Sequence, residues 1–323
     1  MRENWLATKR IELSDKQLTE LIQPVFPGQS VLSSSFAEGG LANTNIKLNL
    51  SKKEAPILLR ILVRDPAQAS KELRLQTLLK GRVPVPELFY CAATNVFSDQ
   101  PYFLMEWIEG VRLESLIKSI SAEEIASYGF SLGKTLAQIH SFHFSYTGFF
   151  DENLNVTTFA DMGGGGLMQF ARRCLSQDNA EKLGVELAAS TLDFLKDQSS
   201  LLDGYTAVPC LTHSDFGGSN ILVCAGSPYV VKAVLDWEFA FSGTPFFDTG
   251  NLLRPPLGDN GMFVDSFVRG YTEGGGELPK DWRRISLLTD LTAWLDFLTR
   301  AADGSRLLED VRTVIARTIK SFD

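Results

Sequence analysis

The chain has 323 residues, 44% of them hydrophobic, and a net charge of −8. That apolar share supports a packed core and excludes global disorder, and the length suffices for two lobes of ordinary size. Lys and Arg are scattered, which excludes the basic footprint of a nucleic-acid binder, and no run of about 18 apolar residues marks a membrane span.

The start, Met1-Arg2-Glu3-Asn4-Trp5, lacks the apolar core of a signal peptide, so a cytoplasmic location is expected. Cys91, Cys174, Cys210 and Cys224 show no Cys-x-x-Cys pairing, which argues against a zinc site and for reduced core thiols. Ser14 to Leu21 reads as a short amphipathic helix capped by Ser14. Val31 to Ala37, Asn43 to Leu50 and Pro56 to Val63 are β-like runs, joined by turns at Gly39-Gly40 and Ser51-Lys52-Lys53. Arg60 puts one cation inside the third run, and an isolated arginine of that kind belongs on the solvent face. Asp65-Pro66 supplies an N-cap and first-turn proline for a helix through Leu79, with Glu72 inside it.

Val83-Pro84-Val85-Pro86 is an extended connection, and Tyr102 to Ile108 is strand-like up to Glu109-Gly110. From Leu113 the periodicity turns helical. Ala122 to His140 carries an apolar stripe of Ile125, Phe130, Leu132, Leu136 and Ile139, closed by His140 and His143 near the negative end of the helix dipole. Met162 to Leu167, with four consecutive glycines, reads as a linker or a mobile substrate loop, the linker being preferred. Ala180 to Leu195 reads as one helix, as do Phe263 to Tyr271, Pro279 to Arg300 and Ser305 to Phe322.

The chemistry concentrates in Leu211-Thr212-His213-Ser214-Asp215-Phe216-Gly217-Gly218-Ser219-Asn220-Ile221-Leu222-Val223. Its profile predicts a strand edge, a tight loop whose positive φ angles fall on Gly217 and Gly218, and a second strand. A further apolar run, Tyr229 to Leu235, ends in Asp236-Trp237-Glu238. Phosphoryl transfer from a nucleotide needs such a set. One carboxylate takes the proton of the attacking hydroxyl, while a second carboxylate and an amide oxygen hold the magnesium that bridges the phosphates. Asp215-Phe216-Gly217 also spells the metal-binding tripeptide of protein kinases. It precedes Asn220 here instead of following the asparagine, so Asp236 is the better metal aspartate.

His-x-Asp-x-x-x-x-Asn followed by Leu-Asp-Trp-Glu resembles the aminoglycoside phosphotransferase and choline kinase group of the protein-kinase-like superfamily, over about residues 30 to 255. The usual glycine between His and Asp is Ser214 here. The resemblance implies an α+β, bilobal protein-kinase-like fold. Its nucleotide-binding lobe, an antiparallel sheet with a helix, would comprise 1–107, and its mainly helical catalytic and substrate lobe 108–323.

It further implies that Gly39 and Gly40 cover the phosphates, that Arg60 stands where kinases carry the phosphate-pairing lysine, and that Glu72 pairs with Arg60. Met105 would line the adenine pocket, with the Glu106 carbonyl and the Ile108 N–H pairing with the base. Asp215 would act as catalytic base, Asn220 and Asp236 as Mg2+ ligands, and ATP, or GTP, as donor. His213 would hold the loop backbone, and Glu238 would be an additional metal or water ligand. Asp248 would brace the catalytic loop, a helix N-cap being the alternative and compatible reading.

A serine hydrolase is a poor fit, because no Gly-x-Ser-x-Gly elbow is present. The implied partners are a nucleoside triphosphate and a hydroxylated small molecule, with no nucleic acid or membrane. The rival is a catalytically idle nucleotide-binding module acting through partners; a protein kinase is a weaker third, since no Ala-Pro-Glu segment follows Asp236. The acceptor stays open: Asp259, Asp290 and Asp296 either meet a cationic acceptor or sit on solvated helix faces.

Overall fold

The computed structural model describes residues 10–37, 43–117, 119–204 and 208–322. The chain forms two compact units. The first comprises Met1–Val111, Asp151–Asn155 and Lys232–Glu238; the second Arg112–Phe150, Val156–Val231 and Phe239–Asp323.

The chain begins with α1 (Asp15–Ile22), β1 (Val31–Phe36), β2 (Thr44–Leu50), β3 (Lys53–Ile61), α2 (Ala69–Leu79), β4 (Leu88–Ala92) and β5 (Tyr102–Glu106). The five strands form one antiparallel sheet in the order β1-β2-β3-β5-β4. Ser14 caps α1 in a reciprocal capping box with Gln17, as its sequence implies. The period of two sorts the strand side chains onto two faces. Ile57, Leu59, Ile61, Tyr102 and Leu104 pack with Leu18, Leu21 and Ile22 of α1. Leu62, Phe103 and Met105 pack with Ala69 of α2, Leu58 lying against them. Arg60 alternates onto the face of Leu58 and is 8% exposed, so it is a buried cation and not a solvent-facing one. Asp65 does not cap α2: a short 3-10 turn, Pro66–Gln68, intervenes, and the Asp65 carboxylate instead accepts from Gln68 Nε2 at 3.1 Å.

After β6 (Val111–Arg112) follow α3 (Leu113–Leu116), α4 (Ala122–His140), β7 (Gly148–Phe150), β8 (Val156–Phe159), α5 (Gly164–Cys174), α6 (Gln177–Leu183) and α7 (Val185–Gln198). Then come β9 (Cys210–Thr212), β10 (Ile221–Val223), β11 (Val231–Val234), β12 (Phe241–Gly243), α8 (Pro245–Leu252), α9 (Gly261–Glu273), α10 (Trp282–Arg300) and α11 (Arg306–Lys320). Helices α5, α6, α7, α10 and α11 share a core that includes Leu167, Leu195, Leu291, Leu295 and Val311.

Two sequence expectations fail among the helices of this unit. Gly164 to Gly166 are not a linker but the first turn of α5. Close approach explains them: a Cβ on Gly164 would lie 2.6 Å from the Ser199 carbonyl oxygen, and one on Gly166 2.0 Å from that of Asp161. The single helix expected over Ala180 to Leu195 is broken at Gly184, whose φ of +102° no helix tolerates. Among the described residues no helix is long and apolar enough to cross a membrane.

Helices α4 and α9 cross at glycines. A Cβ on Gly133 would stand 2.2 Å from the Phe267 carbonyl oxygen, and one on Gly270 2.1 Å from that of Phe130. Gly133→Ala therefore forces two backbones apart, a loss of about 1–3 kcal/mol that outweighs alanine's helix preference. Urea denaturation measures it, and an unchanged midpoint would contradict the crossing.

Candidate active site

In the first unit β3, α2 and the segment after β11 assemble one charge cluster. Arg60 Nη1 donates to Asp236 Oδ1 at 2.9 Å, and its Nη2 lies 3.4 Å from Glu72 Oε2. The ion pair expected between Arg60 and Glu72 is formed, and Asp236 adds a contact that the sequence did not announce. Arg64 pairs with Glu238 at 3.3 Å, while Lys71 Nζ donates to the Glu238 carbonyl at 2.7 Å. Burial works against the Arg60 charge, yet Glu72 and Asp236 outweigh it and hold the guanidinium more firmly protonated than usual. Burial pushes the Glu72 carboxyl up, with the like charge of Asp236 adding to it, against the pull of Arg60 and Lys71. Burial and the like charge of Asp236 push Glu238 up as well.

Among the described residues, Arg60 Nε and Nη2 and Glu72 Oε1 are buried without a hydrogen-bond partner. Orphaned donors on a buried guanidinium are costly unless an anion satisfies them. Asp236 itself adopts φ +60° and keeps a carboxylate 42% exposed, with Trp237 buried beside it and donating to the Val234 carbonyl at 3.0 Å. Met105 is buried on β5, Glu106 ends that strand, and Ile108 lies just beyond it, half-buried. Gly39 and Gly40 lie outside the described residues.

In the second unit the loop between β9 and β10 carries Asp215 and Asn220. Asn220 Nδ2 donates to Asp215 Oδ2 at 2.7 Å and to the Asp215 carbonyl at 3.0 Å, so base candidate and amide face each other. The loop is held from beneath. Asp248, fully buried on α8, accepts from the backbone N–H of His213 at 2.8 Å and of Ser214 at 2.7 Å. It is the brace and not the helix cap, which is Thr244. Nε2 of His140 lies 3.1 Å from the same carboxylate, and its Nδ1 2.8 Å from the Tyr271 hydroxyl. His140 is therefore part of this buried network, beyond any favourable contact with the helix dipole. His213 Nδ1 accepts from the Asp215 N–H at 3.2 Å, the backbone-holding contact expected of it. Phe216 is fully buried, so the Asp-Phe-Gly tripeptide here supplies a core anchor.

The positive φ falls on Ser214, at +70°, and not on Gly217 or Gly218. Gly218 is needed for proximity instead: a Cβ there would lie 3.0 Å from the Glu114 N–H nitrogen, which donates to the Gly218 carbonyl at 3.1 Å. Ser214 thus occupies a left-handed position where a side chain costs about 1–2 kcal/mol. Ser214→Gly is expected to leave the melting temperature unchanged or to raise stability by up to about 1 kcal/mol, the relief being offset by glycine's unfolded-state entropy. A clear loss in thermal denaturation would count against this geometry.

Magnesium takes hard oxygen ligands, commonly one or two carboxylates plus phosphates and water. Asn220 uses its amide nitrogen toward Asp215, which leaves its oxygen outside those contacts, and Asp236 Oδ2 has no partner among the described residues. Each of these atoms is an oxygen donor of the kind that ion takes. No group of three or more His, Cys, Asp and Glu side chains disposed to hold a metal occurs among the described residues.

The three acidic residues considered for a cationic acceptor are all paired with arginine. Asp259 pairs with Arg317, Asp296 with Arg300, and Asp290 with Arg254 at 2.7 Å. Arg254 gave no sequence signal, since it follows an apolar helix as any boundary cation does.

A search of curated protein sequences returns no match. Among solved structures, the chain is similar to a GDP and kanamycin complex of APH(2″)-IIIa, with TM-score 0.70 at 17% identity, covering 95% of this chain and 99% of that one. It is similar also to APH(4)-Ia in a complex with ADP and hygromycin B, at TM-score 0.66, 18% identity and coverage of 95% and 98%. A third likeness is to the macrolide 2′-phosphotransferase MphH from Brachybacterium faecium, at TM-score 0.63, 19% identity and coverage of 92% and 97%. At these identities the likeness establishes the fold, the α+β kinase-like fold that the catalytic motif implied. The phosphotransferase enzyme family profile (APH) matches residues 34–288, most of the chain, and the protein belongs to that family.

Proposed function

We propose that this protein transfers the γ-phosphoryl group of ATP, or of GTP, to a hydroxyl of a small molecule with Mg2+ as cofactor. The observation that carries the reading is the braced loop, in which Asp215 meets Asn220 at 2.7 Å while Asp248 fixes the backbone immediately before it. In this reading Asp215 takes or orients the proton of the acceptor hydroxyl. The acceptor oxygen bonds to Pγ, the bond from Pγ to the β,γ-bridging oxygen breaks, and the nucleoside diphosphate leaves. Asn220 and Asp236 would hold the metal, which when bound would offset charge on the phosphates. Arg60, steadied by Glu72, gives its unpartnered donors to the α/β-phosphates. Gly39 and Gly40 cover the phosphates with N–H groups, and Met105, Glu106 and Ile108 receive the base. A cytoplasmic location goes with this reading, its four cysteines being free.

The test is magnesium-dependent ATP consumption with a library of hydroxylated compounds. Asp236→Ala is expected to abolish the thermal shift that nucleotide and magnesium together produce. Nucleotide binding with no acceptor-stimulated turnover would instead favour the idle module, a reading that the intact Asp215, Asn220 and Asp236 oppose.

A further inference from the structure

We infer that Arg254 is a specificity residue of the phosphotransfer site, a fixed cation that receives an anionic group, such as a carboxylate, on the hydroxylated acceptor. The inference rests on the kinase reading above and adds the acceptor's charge class to it. Its geometry starts at α8. Asp248 on that helix holds the N–H of Ser214, the neighbour of Asp215. Arg254 follows the end of the same helix, less than two turns beyond Asp248, roughly 9 Å along the axis at the helical rise.

Its guanidinium is held like a bracket. Nε and Nη2 donate to the Asp290 carboxylate at 3.1 and 2.7 Å, and the group lies 5.0 Å over the Trp294 ring. Trp294 Nε1 and Asn251 Nδ2 also donate to Asp290, at 2.8 and 3.0 Å, so that carboxylate is saturated. One edge of the fork is thereby committed. Nη1 makes no hydrogen bond among the described residues, and the side chain keeps 19% exposure. A planar cation fixed along one edge presents the other to a ligand carboxylate without losing rotamer freedom on binding.

The electrostatics agree. Burial opposes the Arg254 charge, but Asp290 and then Asp215 more than compensate, so the guanidinium lies within Coulombic reach of the base. A polyamine acceptor would meet this cation, while Asp259, Asp290 and Asp296 are each already paired. An acceptor with a carboxylate gains the charge-assisted contact and leaves its hydroxyl to Asp215.

The experiment measures ATP consumption by the full chain with Mg2+ and a library of hydroxy acids, each beside its neutral amide and its amino counterpart. At least one hydroxy acid is expected to stimulate Asp215-dependent consumption with a KM at least about tenfold below that of its amide. Arg254→Gln should erase that difference by raising KM much more than it lowers kcat. Because Asp290 would be left buried and unpaired, the change is also made together with Asp290→Asn, which keeps the fold testable. Amides or amines that serve as well as the acids, a difference that survives in the Arg254 variants, or no stimulation by any hydroxy acid would overturn the inference. Those results leave the kinase reading standing when ATP consumption still depends on Asp215. Absence of any Asp215-dependent consumption removes both.

Discussion

Asp215→Asn is expected to lower turnover by a factor on the order of 10² to 10⁴ while nucleotide binding persists. The amide keeps the size of the carboxylate and still meets Asn220, but it no longer takes a proton from the acceptor hydroxyl. Initial rates of ATP consumption at saturating acceptor, set beside a nucleotide-induced thermal shift, separate chemistry from binding. Equal rates for variant and parent would remove Asp215 from the mechanism. Asp215 and its partner Asn220 lie in the second unit, whereas Arg60, Glu72 and Asp236 form their cluster in the first. A surviving thermal shift would therefore report on Arg60, Glu72 and Asp236, which the substitution does not touch.

Asp248→Ala carries the largest expected cost in stability. The side chain is fully buried and accepts from two backbone N–H groups, with His140 at 3.1 Å. Truncation strands those donors away from water, at about 1–3 kcal/mol for each unsatisfied group, so a total of about 3–5 kcal/mol is expected. Asp248→Asn retains one acceptor oxygen and should fall between the two. Urea denaturation gives the stabilities, and the Asn variant, if folded, should show reduced kcat because the residues before Asp215 lose their fixed backbone. A loss below about 1 kcal/mol on truncation would mean that the loop is held by something other than this carboxylate.

The unpartnered donors of Arg60 connect with this picture. A buried guanidinium with two nitrogens lacking hydrogen bonds is a poor structural element and a good receptor for an anion. Arginine in place of lysine retains the charge and adds a planar fork, one arm of which already engages Asp236. In the proposed function ligand phosphates would satisfy Nε and Nη2, the latter 3.4 Å from Glu72 but without a hydrogen bond.

The sequence by itself determined the order and type of most elements and the candidate constellation of Asp215, Asn220 and Asp236. Alternation marked the strands around Arg60, Ser14 marked the start of α1, the apolar stripe marked α4, and the spacing from His213 to Asn220 marked the loop. These are local properties, written in neighbours along the chain. Tertiary structure alone decided the rest. Gly164 to Gly166 look like a linker until the Ser199 and Asp161 carbonyls are seen to leave no room for a Cβ. Ser214 takes the left-handed conformation because Asp248, distant in sequence, holds its N–H. Asp290 looks like a surface charge until Arg254, Asn251 and Trp294 close around it. In each case the deciding force is a short-range contact between residues far apart in sequence, which periodicity and composition do not encode.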